Sequence, residues 1–546
     1  MKQGDKVRAI DLYSGIGGWT LGMKMSSVEN VASYEWWDEA NKTHNLNFGT
    51  DHREVDIRKM SLVDLPEPGT IDFVLGSPPC TQFSFANRGG NGDIADGLRD
   101  IYKFLEVVHY LKPKYWAMEN VPRVSGILKK ELGVGGQLQK FRHLFSVNTI
   151  VNSAEYGVPQ SRKRMIAGNF PFDLFKSYRT ITPTRTLGEV LNALKEEVIV
   201  DPIYGLELHS TEVTDNYYEE PLSQEEERIN REAKTYHPVY NKMSFPDQLT
   251  RPSRTITATC TRVSRESIIV NDERHPNKFR RLNIRERGLL QSFPISYQFF
   301  GKSFSSRFKM IGNAIPPLLT YYVIQSMLEV SIDAIKAPSE VAYKHQPASK
   351  ATQVKMDSAG RKYSPKRSFK FAIPNLRFGS GVRFDLGNSF KGEKVKWEIE
   401  FFFGNSKKIK KLPLGTEVLN PIFEFYDLSG IQGLQRELCK LDSKLADLDP
   451  NAMQMVWCKK AEGLHPFEVL DRLGQVAKSL VENFFPEPTE HTSELVHAIL
   501  KEEINQKLAR NSNVLLAGFI VGSWGNMLIR KEVAPLVEMS YNYVGS

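Results

Sequence analysis

The stretches Asp11-Leu12-Tyr13-Ser14-Gly15-Ile16-Gly17-Gly18 and Gly76-Ser77-Pro78-Pro79-Cys80 decide the reading of this chain. The first reads as a strand that runs into a glycine-rich turn, the local form a nucleotide-type cofactor pocket requires. The second ends on a single cysteine behind a stiff Pro-Pro pair, the form required of a positioned nucleophile. Neither string decides alone. A lone Gly-x-Gly-Gly is as often an ordinary tight turn, and a free cysteine is usually an inert buried hydrophobe. Their order and spacing carry the argument.

Around these strings, short apolar runs alternate with helical stretches from Val7 to Gly168. Val7 to Leu12, Val31 to Glu35, Phe73 to Leu75 and Trp116 to Met118 are expected as strands. Ile101 to Leu111 has apolar residues at helical spacing and stops before Lys112-Pro113. Such alternation implies an α/β fold with a doubly wound, mostly parallel sheet, whose functional residues gather at the carboxyl ends of the strands. Residues 1–169 and 281–337 are expected to form this catalytic and cofactor-binding domain. Between them the alternation fades, and 170–280 is expected as a smaller lobe. It holds a helix within Thr180 to Lys195, another over the polar stretch Tyr217 to Lys234, and strands at Thr255 to Thr259 and Ser267 to Val270. A linker rich in Pro, Ser, Ala and Lys is expected at 338–366, followed by a separate α+β domain over 367–546, with a hairpin within Arg383 to Phe403 and helices from Pro466 to Arg510.

The bulk composition narrows the class. A chain of 546 residues is too long for one core. Its 41% hydrophobic and 11% aromatic content is that of a folded protein, and no apolar run is read as spanning a membrane. Four cysteines, widely spaced and without a Cys-x-x-Cys pair, argue against a disulfide framework or zinc knuckle and for the cytoplasm. A net charge of +8 and a pI of about 9.0 suit a polyanionic partner.

Taken in order, the strings resemble the cytosine-5 DNA methyltransferase family over residues 8–335. Beyond the two opening strings they are Glu35-Trp36, Asp56-Ile57, Thr81-Gln82-Phe83-Ser84, Glu119-Asn120-Val121, Gln160-Ser161-Arg162-Lys163-Arg164, Arg281-Leu282 through Arg285-Glu286 to Gln291-Ser292-Phe293-Pro294, and Gly312-Asn313-Ala314-Ile315-Pro316-Pro317. The resemblance implies S-adenosylmethionine as cofactor. Asp11, Tyr13, Ser14, Gly15, Ile16, Gly17 and Gly18 would cradle it, Glu35 would hold ribose hydroxyls and Trp36 stack on the purine. Asp56 and Ile57 would meet the adenine, and Pro79 and Asn313 would close the pocket. The absence of a lysine-containing phosphate loop argues against ATP.

The same resemblance makes Cys80 the nucleophile that adds to ring carbon 6 of cytosine, and Glu119 the acid at ring nitrogen 3. Arg162 and Arg164, two apart and so on one face of a strand, would hold the base and Glu119. For each there is a plainer alternative: a strand-end cap for Glu119, a solvated basic edge for the arginines. Chemistry on a base edge requires the cytosine to leave the duplex stack. Ser84, in the polar loop after the cysteine, and Arg251, Arg254, Arg262 and Arg265 in the lobe are the candidates for contact with double-stranded DNA. No metal site is expected.

Three positions depart from the family pattern: Thr81 replaces a customary Gln, Gly97-Leu98-Arg99-Asp100 fits the usual motif poorly, and Asn283 replaces a Thr. The tail is not covered. Asp385, Glu398 and Glu400 raise a fused nuclease, with solvated hairpin charges as the plainer reading, and Lys407 to Lys411 a phosphate-contacting loop. The expected function is a DNA cytosine-5 methyltransferase in a bacterial cytoplasm or nucleoid, in a restriction or defence setting with partner proteins. Its rivals are a tRNA methyltransferase of the same chemistry, a methyltransferase fused to a nuclease, and a non-catalytic DNA-binding regulator.

Overall fold

A computed structural model describes residues 6–83, 92–235, 243–357, 362–378, 382–405, 408–425, 428–445 and 448–532. Ser84 and most of the loop after Cys80 lie outside the described residues. The chain divides into two compact units: Met1–Asn230 with Ser244–Asp357, and Arg231–Met243 with Ser358–Ser546.

The first unit is built on six strands: β1 (Arg8–Leu12), β2 (Glu29–Tyr34), β3 (Phe73–Gly76), β4 (Tyr115–Asn120), β5 (Val147–Asn152) and β6 (Lys163–Asn169). Their order is β2-β1-β3-β4-β6-β5. The first four are parallel, while β6 runs antiparallel to both β4 and β5. The expected doubly wound, mainly parallel sheet is therefore present, and all four expected strands fall in it. Being covered on both faces, these strands read as continuous apolar runs rather than alternating ones. Ile10, Val74, Trp116 and Met118 pack on one face, and Ala9, Phe73, Leu75 and Ala117 on the other.

Three helices connect the four parallel strands: α1 (Gly18–Met25), α2 (Asp38–Phe48) and α3 (Ile94–Leu111). The last begins two turns before the expected Ile101. Asp93 caps it by accepting the Asp96 N–H, and Lys112, in the left-handed region, ends it. After the lobe come α4 (Phe304–Asn313) and α5 (Pro317–Met327), and α5 returns to cover α1. The approach is close: a Cβ at Gly22 would stand 2.3 Å from Thr320 Oγ1. Asn283, the residue that departs from the family pattern, caps its helix by accepting the Glu286 N–H at 2.8 Å. It performs the capping task a threonine would.

Thr255 to Thr259 is not a strand. Its alternating β-branched residues suggest one, but its backbone groups bond to side chains instead of a ladder. The Ile256 N–H donates to Gln160 Oε1, the Ile256 carbonyl accepts from Arg162, and the Thr257 carbonyl from Arg287.

Pro338 to Asp357 packs within the first unit. Ala348 N–H donates to the Leu46 carbonyl and Ala351 N–H to Gln298 Oε1, both at 2.9 Å. The His345 ring stacks on Tyr297, Arg307 donates to the Thr352 carbonyl at 2.6 Å, and Arg281 pairs with Asp357 at 3.2 Å. A chain stopped after Asp357 is therefore expected to keep the thermal stability of this unit. One stopped after Ala337 strips acceptors from two buried arginines, at about 1–3 kcal/mol each, and should melt several degrees lower in a calorimetric comparison.

The second unit carries a four-stranded antiparallel meander: β7 (Lys370–Arg377), β8 (Arg383–Lys391), β9 (Lys394–Asn405) and β10 (Lys408–Leu412). Its inner face packs against α6 (Pro466–Phe484) and α7 (Ser512–Arg530). The latter corrects the reading of the apolar runs, because by length and composition it is long and apolar enough to cross a membrane. Here 94% of its 18-residue apolar stretch is buried inside the folded chain. Gly518, Gly522 and Gly525 let it close on the sheet, where a Cβ would meet Phe384, Leu414 and Ile399 at 2.3–2.6 Å. Asn526 stitches the contact by accepting the Ile399 N–H and donating to the Ile399 and Leu414 carbonyls.

The three carboxylates considered for a nuclease are each answered by cations. Asp385 pairs with Arg383 at 2.5 Å, Glu400 with Lys370 at 3.2 Å and with Lys411, and Glu398 with Lys396 at 2.6 Å. Among the described residues no set of three His, Cys, Asp or Glu side chains is placed to hold a metal ion.

Candidate active site

The carboxyl ends of the four parallel strands converge on one cavity of about 330 Å³. The turn after β1 brings Tyr13, Ser14, Gly15, Ile16 and Gly18 to its wall; β2 brings Glu35 and Trp36; the turn after β3 brings Pro79 and Cys80; and β4 brings Glu119. Arg162 and Arg164 enter from the start of β6, and Asn313 from the end of α4. Residues spread over the first 313 positions thus share one pocket. Proximity of strand ends in a parallel sheet is the physical reason.

Its cofactor half has a defined shape. Gly15 adopts φ +53° and a Cβ there would meet nothing within 4 Å, so the turn opens onto empty space. Ser14 Oγ is buried without a hydrogen-bond partner. The buried Glu35 carboxylate accepts the Gly15 and Trp37 N–H groups, each at 2.8 Å, which fixes the turn to the end of β2. Burial pushes this carboxyl up, and those N–H groups oppose the shift. Trp36 is 58% exposed, leaving a free ring face at the mouth.

Other expected cofactor residues stand elsewhere. Gly17 is behind the wall with φ +85°, where a Cβ would stand 2.4 Å from the Phe48 ring. Gly17 there serves packing within the protein, while Gly18, which lines the cavity, also packs closely on the Ile315 carbonyl. Asp11 is buried beneath the turn, accepts a hydrogen bond from Thr20 Oγ1 at 2.9 Å, and is pushed by burial up to about 8. Asp56, half exposed, pairs with Lys59 at 3.0 Å, and Ile57 lies in the core; neither lines the cavity.

The reactive half centres on Cys80, a free thiol. Burial pushes the thiol up, Arg164 and Arg162 pull it down, and Glu119 adds to the rise. Arg164 Nε pairs with Glu119 Oε1 at 2.9 Å. Arg162 has another task. Its buried guanidinium donates to the carbonyls of Ile256, Gly312 and Ala314 at 2.9–3.0 Å. It thus clamps the lobe segment and the end of α4 to the pocket rather than presenting its terminal donors to a substrate. Asn120 ties the end of β4 to the turn after β3 by donating to the Pro78 carbonyl at 3.1 Å. Because the Arg164 charge favours the Cys80 thiolate, Arg164→Gln should move the pH midpoint of Cys80 alkylation by iodoacetamide upward, as followed by peptide mass. An unchanged midpoint would show that the charge does not reach the sulfur.

The lobe arginines divide. Arg254 is forked onto Asp247 at 2.6 and 3.1 Å, and Arg262, 3% exposed, onto Glu226 at 2.9 and 3.0 Å. Arg265 pairs with Glu266 at 3.0 Å. A guanidinium spent on a carboxylate has little left for a phosphate, so Arg254 and Arg262 are structural. Arg251 is exposed, with Ser244 as its side-chain contact at 3.3 Å. Wall residues that the sequence reading missed include Trp19, whose indole donates to Ser77 Oγ at 3.1 Å, Lys309 and Met310. Lys309 precedes Asn313 by one helical turn, and that spacing was a usable signal.

The site is a single cavity at the strand ends of an α/β fold, lined by a free thiol, a carboxylate and a glycine turn. The model of the C-5 cytosine-specific DNA methylase family matches residues 7–329, and the chain belongs to that family. It is a DNA (cytosine-5-)-methyltransferase. Type II methyltransferase M1.HphI of Haemophilus parahaemolyticus is 27% identical over 349 residues, covering 59% of this chain and 87% of its own. Type II methyltransferase M.HindV of Haemophilus influenzae is 27% identical over 341 residues, covering 61% and 99%. Among solved structures, the Dnmt2 methyltransferase of S. pombe aligns with a TM-score of 0.43 at 17% identity, over 59% of this chain and 99% of that one.

Proposed function

We propose that the enzyme methylates carbon 5 of a cytosine flipped out of duplex DNA, through a covalent bond to Cys80, with S-adenosylmethionine as methyl donor. The observation that carries this reading is the meeting of Cys80, Glu119 and Arg164 with the open Gly15 turn in a single cavity. The residues present fit the cofactor. Ser14 Oγ is an unanswered buried donor, the Gly15 turn has space, and Glu35 holds a carboxylate at the end of β2, where ribose hydroxyls are gripped in doubly wound folds. Bound there, S-adenosylmethionine supplies an electrophilic methyl group.

The chain's own residues do the rest. The Cys80 thiolate forms a bond to carbon 6, and the displaced ring electrons reach nitrogen 3, where Glu119 donates a proton or a strong hydrogen bond. Arg164 holds Glu119 in register and faces the base carbonyl. Carbon 5 takes the methyl group, a base removes its proton, and the electrons of that C–H bond expel the cysteine sulfur. Burial disfavours the Cys80 thiolate, and the neighbouring Arg164 charge favours it. We take residues 170–280 as the lobe that reads the DNA, with Arg251 the best placed of the four arginines. The named relatives support a restriction-modification setting.

The test is transfer of labelled methyl to duplex DNA and to tRNA, with bisulfite sequencing of the product. Methylcytosine at one short DNA motif is expected. Label on tRNA alone would overturn the substrate while keeping the chemistry.

A further inference from the structure

Two of the departures from the family pattern, at Thr81 with the adjoining Gln82 and over Gly97 to Asp100, meet at the start of α3. Gln82 follows Cys80 by two residues. Its side chain accepts the Asp93 N–H at 3.0 Å and donates to the Asp96 carboxylate at 3.3 Å. Phe83 packs on Gly97, where a Cβ would stand 2.6 Å from the ring, and its N–H closes the turn onto the Cys80 carbonyl at 3.0 Å. Asp96 is held in turn by Arg58, whose guanidinium donates to Asp96 Oδ1 at 2.8 Å and forks onto the Asp100 carboxylate at 2.8 and 2.6 Å. Asp100 accepts the Tyr13 hydroxyl at its backbone carbonyl, 3.2 Å away, and at Oδ1, 3.3 Å away. Tyr13 lines the cofactor cavity and stands at φ +56°, a left-handed conformation that a bulky residue keeps only where its surroundings hold it.

A continuous chain of polar contacts thus runs from the wall of the cofactor cavity to the turn that carries the thiol: Tyr13, Asp100, Arg58, Asp96, Gln82. Arg58 is the cation between its two carboxylates. A lone ion pair at a surface adds little, but a guanidinium forked onto a carboxylate that is 6% exposed, and shared with a second one, fixes both in position. We propose that Arg58 is a positioning residue for the attack on carbon 6: through Asp96 and Gln82 it sets the Cys80 turn against the donor wall, so that the sulfur and the donor's methyl group face one base. The inference rests on the function proposed above. Neither Arg58 nor Gln82 lines the cavity, so the effect reaches the reacting atoms through the turn itself. Displacing a reacting group by about 1 Å costs about a hundredfold in rate.

The parent chain, Arg58→Met and Gln82→Ala are compared by methyl transfer to duplex DNA, by calorimetric titration with S-adenosylhomocysteine, and by hydrogen exchange of the peptide spanning Cys80 to Phe83. Arg58→Met should lower kcat by about ten- to a hundredfold and speed exchange in that peptide. Affinity for S-adenosylhomocysteine should stay as in the parent, because Tyr13 keeps the Asp100 backbone carbonyl. Gln82→Ala leaves the ion pairs and the fold intact and should have the same effects. The double variant should be no slower than the slower single one, as links of one chain are not additive. A role in stability alone would weaken S-adenosylhomocysteine and lower kcat together, and Gln82→Ala would not reproduce it; that pattern overturns the proposal. So do an unchanged kcat, losses that multiply in the double variant, or unaltered exchange over 80–83. If the parent itself transfers no methyl to DNA, the function falls and the proposal with it, whereas full transfer by all three chains refutes Arg58 alone.

Discussion

Cys80→Ser is expected to abolish methyl transfer, by at least about a thousandfold, while S-adenosylhomocysteine binding persists. A serine hydroxyl has a far higher pKa than a thiol, which leaves no appreciable anion to attack. Cys80 contributes to the reactive half of the pocket, whereas the cofactor half is built from the turn after β1 and from Glu35. The two readouts should therefore separate. A duplex carrying 5-fluorocytosine at the methylated site gives a positive form of the same test. Fluorine cannot leave carbon 5 as a cation, so the final elimination is blocked and the Cys80–carbon 6 bond should persist on a denaturing gel. Activity of Cys80→Ser near the parent level, or no retained adduct with the parent enzyme, would sink the covalent route.

Glu119→Gln is the second large effect. The amide keeps the shape and can still hydrogen-bond, but it cannot deliver a proton to the ring nitrogen. A loss of about 10² to 10⁴ in kcat is expected for a positioned acid. The variant also takes the counter-charge from Arg164, which in the parent is 2.9 Å away. With the neighbouring negative charge gone, the Cys80 thiolate should form more readily, since Glu119 is one of the groups that raise the thiol. The variant should thus alkylate at a lower pH while methylating far more slowly. Parallel changes in both would mean that Glu119 acts only on the thiol.

Much of this site was legible because it sits where parallel strands end. Tyr13 to Gly18, Glu35, Cys80 and Glu119 follow β1 to β4, and a turn after a buried strand has its own sequence signature. What escaped was whatever depends on partners distant in the chain. Arg254 and Arg262 look like DNA contacts until Asp247 and Glu226 are found beside them. Arg162 looks like a twin of Arg164 until its three carbonyl acceptors appear, which belong to segments about 90 to 150 residues away. Thr255 to Thr259 has strand-like residues, yet side chains of Gln160, Arg162 and Arg287 take its backbone bonds. Local pattern reports a strand's neighbours poorly, and side chains that substitute for a strand not at all.

The glycine-lined α7 has a consequence for how the tail is made. It is the last described helix, and it covers Phe384 and Ile399 on the inner face of the meander and Leu414 just beyond it. During synthesis that sheet leaves the ribosome well before the helix that shields it. For that interval the half-built tail shows a wide oily surface, and the helix on emerging resembles a membrane anchor in want of a bilayer. A premature stop before Ser512 freezes this state. A trimmed tail is therefore the form a cell's chaperones and proteases would meet as waste.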